Sequence, residues 1–141
     1  MVYAPRLSED GRAFEDFEGL APEWQTRAEY MTVFPNVMLG VHRDHTFAIL
    51  LDPVSVNRTV ERIAIFYAQE SALAPEMADL RQKNAAQWKE IFVEDIFVVE
   101  GMQKGRSAPG FDGGKFSPAM DDATHVFHDW VAVRMGGTAE P

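Results

Sequence analysis

The sequence contains no cysteine among its 141 residues. A chain without thiols cannot build a disulfide, a thiolate nucleophile, or a cysteine-ligated zinc or iron–sulfur site from its own residues. It also lacks any run of lysine or arginine, and its formal net charge is −9. Such a chain has no electrostatic footprint for a nucleic acid backbone or an anionic lipid surface. We therefore expect neither nucleic acid nor a membrane among its partners.

Long hydrophobic runs are missing as well. No apolar stretch approaches the roughly 18 residues of a membrane-spanning helix, and the first residues, MVYAPRLSEDGR, are too polar for a secretory signal. We expect a cytoplasmic protein. What the chain does have is 46% hydrophobic residues, with ten phenylalanines and three tryptophans. That composition is sufficient for the core of one modest domain.

The first half of the chain is predicted to be β-rich. Residues 1–29 are turn-rich and acidic, which is typical of a surface arm or a connecting segment. Three β-type runs follow, rich in β-branched and aromatic residues. They lie at Tyr30–Phe34, at Val37–Val41 continuing through a hairpin turn at Arg43-Asp44 into Phe47–Leu51, and at Val60–Ala68. Short connections between them predict an antiparallel meander.

The second half is predicted to be helical. A stretch without glycine or proline predicts a long helix over Glu76–Glu100, and the glycine-rich segment Gly101–Pro118 predicts a loop. A second helix is predicted over Ala119–Met135, followed by a tail at 136–141. Strands followed by helices indicate an α+β fold, with an antiparallel sheet packed on a long helix plus a C-terminal helix.

One acidic residue interrupts the apolar face of the long helix. Helical spacing places Asp95 on the same side as Trp88, Ile91 and Phe92. An unpaired ionised carboxylate in such surroundings costs several kcal/mol, so we expect Asp95 to be protonated, ion-paired or bound to a cation. One interpretation is a structural hydrogen bond or ion pair under the sheet. The other is a metal ligand, the single carboxylate of an iron site that also needs two histidines.

The four histidines fall into two pairs. His42 and His45 flank the predicted hairpin turn, where we expect them to be exposed to solvent. His125 and His128 are three residues apart on the last helix, with aspartates nearby, and this spacing suits either a metal site or an ordinary helix surface. A self-contained metal site at the second pair is therefore one hypothesis.

Several blocks of the sequence resemble the C-terminal end of the α subunit of Rieske-type aromatic ring-hydroxylating oxygenases. The blocks are FPNVML at 34–39, ED at 94–95, VVEGMQKG at 98–105, GGKFSP at 113–118 and FHDW at 127–130. The resemblance implies that residues 30–135 are the C-terminal part of a non-haem iron catalytic domain with a helix-grip (START/Bet v1-like) fold. It also implies that Asp95 is the carboxylate ligand of a mononuclear Fe(II). Trp88, Ile91 and Phe92 share the helix face of this ligand, so they either line the substrate pocket or form part of the core under the sheet.

The same resemblance implies an electron source and a reaction. Family members use a [2Fe–2S] Rieske cluster, fed by a reductase or ferredoxin, to activate O2 for hydroxylation or oxidative demethylation of a small aromatic or quaternary-ammonium substrate, commonly as trimers. This chain has no cysteine, and no histidine precedes Phe34. We therefore expect the Rieske domain and both histidine ligands to be absent and the isolated chain to be inactive. The alternative is a non-catalytic helix-grip module that binds an apolar small molecule between sheet and helix.

Overall fold

A computed structural model describes residues 10–136, which include most of the predicted arm and, of the predicted tail, Gly136. The described chain divides into two compact units with the boundary between Val99 and Glu100. The elements, in chain order, are a 3-10 turn at Pro22–Gln25, strands β1 Glu29–Val33, β2 Val37–Val41, β3 His45–Ser55 and β4 Arg58–Tyr67, 3-10 turns at Glu70–Leu73 and Pro75–Met77, and helices α1 Ala78–Arg106 and α2 Asp122–Arg134.

The strands form one antiparallel sheet in the order β1-β2-β3-β4. This is the predicted meander, and with α1 and α2 it confirms the predicted α+β class, consistent with a helix-grip domain. The three β-type runs give four strands, because the turn between β2 and β3 divides the middle run. The register pairs Gly40 with Phe47 and His45 with Tyr67, so that these residues share one face of the sheet.

Helix α1 packs on this inner face of the sheet. The buried side chains of β3 alternate along the strand, as expected for a strand with one covered face. Trp88 packs against Phe47 and Ile49 in one core cluster, and Leu80 packs against Phe14 and Ala72 in a second. The part of α1 that ends at Phe92 therefore carries the contacts that hold helix and sheet together.

The predicted arm contributes to this core. The Phe14 side chain is buried, with its ring centroid 4.4 Å from that of Tyr67. Arg12 donates to both carboxylate oxygens of Asp79 in the first turn of α1, at 3.0 and 2.8 Å. These hydrogen bonds hold the pKa of Asp79 below its usual range. The turn-rich composition of this segment did not indicate that it would supply a core side chain.

Each helix has one boundary that differs from the prediction, the end of α1 and the start of α2. Helix α1 continues through Gly101 and Gly105 to Arg106, because one glycine in a helix interior costs only about 1 kcal/mol relative to alanine and does not stop a helix. Helix α2 begins at Asp122, after a turn in which the Ser117 N–H donates to Asp121 Oδ2 at 2.7 Å. Gly136, at a φ of 86°, follows its C-terminus.

The second half of α1 presents apolar side chains to solvent. Six of them are about half exposed or more: Val93, Ile96, Phe97, Val98, Val99 and Met102. Despite this apolar stripe, neither helix within residues 10–136 combines the length and the low charge that crossing a membrane requires.

Candidate functional site

Asp95 lies in the exposed second half of α1. The prediction that its carboxylate is buried is wrong for the described chain. The apolar residues that share its part of the helix, Ile96 and Val99, are themselves 48% and 62% exposed. The last side chains of α1 that pack on the sheet are Ile91 and Phe92. Burial therefore imposes no partner on Asp95, and its role as a metal ligand stays a prediction.

The described residues do not by themselves fit an iron ion. Within residues 10–136 no group of three or more His, Cys, Asp or Glu side chains lies close enough together to hold a metal. His125 and His128 pack edge-on against the Phe116 ring, at 4.9 and 5.1 Å between centroids, and His125 Nδ1 lies 3.4 Å from Asp129 Oδ2. The hypothesis of a self-contained metal site at this pair has no support in this geometry.

The three predicted pocket residues come together on the sheet side of α1. Trp88 is buried, and Ile91 and Phe92 are half-buried beside it. The Trp88 and Phe92 rings stack at 5.6 Å between centroids, and Phe47 lies 4.4 Å from Trp88. The helical spacing thus placed these side chains on one face correctly. Their part in lining a substrate pocket stays a prediction.

A buried polar cluster lies next to Trp88, and sequence reasoning missed it. We use this name for His42, Asp44, His45 and Asn84, each at most 3% exposed. The expectation that the hairpin histidines are exposed is wrong. The turn is covered, since the Arg43 carbonyl accepts from the Phe17 N–H at 2.8 Å. The period-two pattern of β3 was the available signal, because it places His45 on the same face as Phe47.

Within the buried polar cluster, His45 connects a carboxylate to the indole of Trp88. The Trp88 Nε1–H donates to His45 Nε2 at 2.8 Å, and His45 Nδ1 lies 2.7 Å from Asp44 Oδ1. Because an indole nitrogen only donates, Nε2 must be the accepting nitrogen and the proton must sit on Nδ1. The contacts therefore select one neutral tautomer of His45 and fix the orientation of the Trp88 ring.

His42 lies flat against His45 and reaches toward the sheet edge. The two imidazole rings stack at 4.9 Å with an interplanar angle of 5°, and His42 Nε2 lies 3.5 Å from the Tyr30 hydroxyl. Burial is the largest cause that lowers the pKa of His42 to about 4; electrostatic interaction with the neighbouring His45 also lowers it, and Asp44 partly opposes this. His42 is therefore neutral at pH 7.

Asn84 is the member of the cluster that belongs to helix α1. Its side chain is fully buried on α1, one turn after Leu80 and one turn before Trp88. Neither its amide nitrogen nor its amide oxygen has a hydrogen-bond partner among the described residues. A buried amide left in this way costs about 1–3 kcal/mol relative to one that is satisfied.

A family model described as "Ring hydroxylating alpha subunit (catalytic domain)" matches residues 3–137. The chain belongs to this family. The resemblance found in the sequence blocks is thereby confirmed, and it extends over nearly the whole chain. Two curated relatives agree with this assignment. Over 107 residues the chain is 26% identical to a putrescine 2-hydroxylase of Ralstonia nicotianae, and over 106 residues it is 24% identical to the chloroplastic choline monooxygenase of Beta vulgaris.

These alignments cover most of this chain but little of the relatives. They include 73% and 75% of the chain, and 29% and 23% of the two relatives. The chain thus spans less than a third of the length of the curated relatives that it matches. No solved structure matches it.

Proposed function

We propose that this chain is the C-terminal part of the catalytic domain of a Rieske non-haem iron oxygenase α subunit. The observation that carries the proposal is the family match over residues 3–137, which contains the Glu94-Asp95 pair. In this proposal Asp95 supplies the carboxylate ligand of a mononuclear Fe(II). Both histidine ligands and the [2Fe–2S] cluster belong to parts of the oxygenase that this sequence does not include, and a reductase or ferredoxin delivers the electrons to a homo-oligomer, a trimer by resemblance.

When bound, the iron would activate O2 for hydroxylation or oxidative demethylation. The residues of this chain supply the surroundings of that reaction. Trp88, Ile91 and Phe92 form an apolar wall one to two turns before Asp95 on the same helix, and such a wall excludes water from a reacting centre. A single carboxylate does not hold Fe(II) against water. The chain alone is therefore inactive in this proposal.

We place the substrate among small organic cations. Putrescine and choline, the molecules in the names of the two relatives, both carry ammonium groups. The net charge of −9 favours the approach of a cation. The half-buried ring of Phe92 offers aromatic surface on which an ammonium group is stabilised by cation–π attraction. A neutral aromatic substrate would gain nothing from the charge.

Metal analysis of the purified chain tests the incomplete site. The chain is loaded with Fe(II) without oxygen, dialysed, and assayed for iron beside the Asp95→Asn variant. We expect no stoichiometric iron in either protein. Tight stoichiometric iron in the parent chain, lost in Asp95→Asn, would contradict the proposal that the site lacks its other ligands.

A chimera tests the function. The matching segment of the putrescine 2-hydroxylase is replaced by this chain, and iron content and amine-dependent O2 consumption are measured. We expect Asp95→Ala to lose both, and the matched variant Glu94→Gln to keep both, because only Asp95 is a ligand in this proposal. Equal activity in the two variants would refute the role of Asp95. Turnover of neutral aromatic compounds without turnover of amines would refute the substrate class.

A further inference from the structure

Two oxidisable side chains, Trp88 and Tyr30, each lie against a histidine nitrogen. Trp88 donates its Nε1–H to His45 Nε2 at 2.8 Å, and His45 in turn contacts the Asp44 carboxylate at 2.7 Å. The Tyr30 hydroxyl lies 3.5 Å from His42 Nε2. Loss of one electron makes an indole N–H or a phenol O–H strongly acidic. Each of these residues therefore has a proton acceptor already in place for its own oxidation.

The rings between Trp88 and Tyr30 are continuous. The Trp88 ring lies 5.0 Å from His42 and 4.4 Å from Phe47, and Tyr30 lies 5.8 and 6.2 Å from the same two rings. Only one ring separates the two oxidisable residues along either route. Trp88 is 4% exposed, whereas Tyr30, on the edge strand β1, is 59% exposed. The contacting aromatic rings therefore extend from the core beside α1 to the solvent-exposed edge of the sheet.

We propose that Trp88 and Tyr30 form a path along which an oxidising equivalent near α1 is carried to the protein surface, with His45 and His42 as the proton acceptors. The proposal rests on the proposed function only for the source of the oxidant, a strong one-electron oxidant derived from O2. Asp95 follows Trp88 by seven residues, which is two helical turns and about 10 Å along the axis. The Phe92 ring, stacked on Trp88, extends the aromatic contacts in that direction.

The proposed path conserves protons and electrons at each step. The oxidant takes one electron from Trp88, and the Nε1 proton passes to His45, whose imidazolium charge is offset by Asp44. Tyr30 then gives one electron to the Trp88 radical, while its phenol proton passes to His42 and His45 returns its proton to Trp88. A thiol or ascorbate in solution finally reduces the Tyr30 radical, and His42 returns the proton. The net result is reduction of the oxidant by the external reductant.

The absence of cysteine allows a direct test on the full chain. Asp95→Cys gives a single attachment point for a ruthenium(II) polypyridyl photo-oxidant, and replacing Trp24 and Trp130 by phenylalanine leaves Trp88 as the only tryptophan. Transient absorption after a laser flash with a reversible electron acceptor follows the radicals. We expect a neutral tryptophan radical that decays into a tyrosyl radical. Because the ruthenium complex supplies the oxidant, this result is independent of iron and of the oxygenase assignment.

Conservative variants then separate the path from direct oxidation. Trp88→Phe is expected to lose both radicals, Tyr30→Phe to lose the tyrosyl radical and lengthen the life of the tryptophan radical, and the matched control Tyr67→Phe to change neither. An undiminished tyrosyl radical in Trp88→Phe, or an unchanged tryptophan radical in Tyr30→Phe, would overturn the path.

The proton acceptor is tested in the same labelled background. His45→Gln is expected to convert the first product from the neutral radical to the protonated radical cation. Asp44→Asn keeps the histidine and removes the charge that offsets its imidazolium, so it is expected to slow deprotonation of Trp88. If near-ultraviolet circular dichroism shows that His45→Gln is unfolded, Asp44→Asn alone is the test. A neutral radical formed at the parent rate in both variants would overturn the role of His45.

Discussion

The two halves of helix α1 both carry large apolar side chains and differ in what covers them. In the first half Leu80, Asn84 and Trp88 are buried against the sheet and the arm. In the second half, from Val93 onward, apolar side chains face solvent around Asp95. The helical period tells which residues share a face, but only a second element removes that face from water. Whether a helical face is buried therefore depends on the element that packs against it and cannot be inferred from the helix alone.

Truncation of one large side chain in each half gives the sharpest contrast. Trp88→Ala should lower the free energy of unfolding by about 3–5 kcal/mol, because it empties a packed site between Phe47 and Phe92. Phe97→Ala, at a side chain that is 83% exposed, should change it by less than about 0.5 kcal/mol. Urea unfolding followed by circular dichroism measures both. Comparable losses in the two variants would contradict the contrast between the halves.

Adding one methyl group should lower the stability of the protein in the packed region and raise it in the exposed half of α1. Gly40 of β2 lies beneath the Phe47 ring, and an alanine Cβ there would collide with it, so Gly40→Ala should destabilise the protein by about 1–3 kcal/mol. In the exposed half, no atom of the described residues lies within 4 Å of a Cβ added at Gly101, so Gly101→Ala should stabilise the protein by about 0.5–1 kcal/mol through helix propensity. Thermal unfolding of both variants is the measurement, and stabilisation by Gly40→Ala would show that Phe47 does not occupy this position.

Acid should destabilise the folded chain through the buried His42. The pKa of His42 is about 4 in the folded chain against an ordinary value of 6.5. Between these pH values His42 binds a proton in the unfolded chain but not in the folded chain. Stability should therefore be unaffected by this group above pH 6.5 and fall by about 3 kcal/mol as the pH drops to 4. Urea unfolding at several pH values measures this dependence.

One variant isolates this effect of His42. His42→Gln should flatten the pH dependence of the unfolding free energy between pH 6.5 and 4. A parent slope that persists in His42→Gln would place the titrating group elsewhere in the chain.

The smallest expected effect concerns the buried amide. Asn84→Leu keeps the approximate size of the side chain and removes two polar atoms that have no partners among the described residues, so it should raise the free energy of unfolding by about 1 kcal/mol. Asp95→Asn, in the exposed half, should leave it unchanged. A loss of stability in Asn84→Leu would indicate that a bound water or ligand satisfies the amide.

Local patterns predicted the elements well and their surroundings poorly. The four strands, both helices and the shared face of Trp88, Ile91 and Phe92 follow from alternation and helical spacing, which are properties of neighbouring residues. The burial of His42 and His45 does not follow, because hairpin turns normally face solvent and the covering segment around Phe14 lies some thirty residues upstream. The expected burial of Asp95 failed for the complementary reason: its helical neighbours are apolar, but no described element covers them.

The connection between β2 and β3 is only three residues long. Together with His45, the first residue of β3, it places two imidazoles and one carboxylate near Trp88, while Arg43 points outward to Asp16 at 2.9 Å. Successive residues of a strand face opposite sides, so insertion or deletion of one residue here would exchange the inward and outward sets on one strand. The histidines would then meet solvent, and the guanidinium would be driven into the core. This hairpin therefore admits changes of residue type far more readily than any change in its length, and indels among related sequences should avoid it.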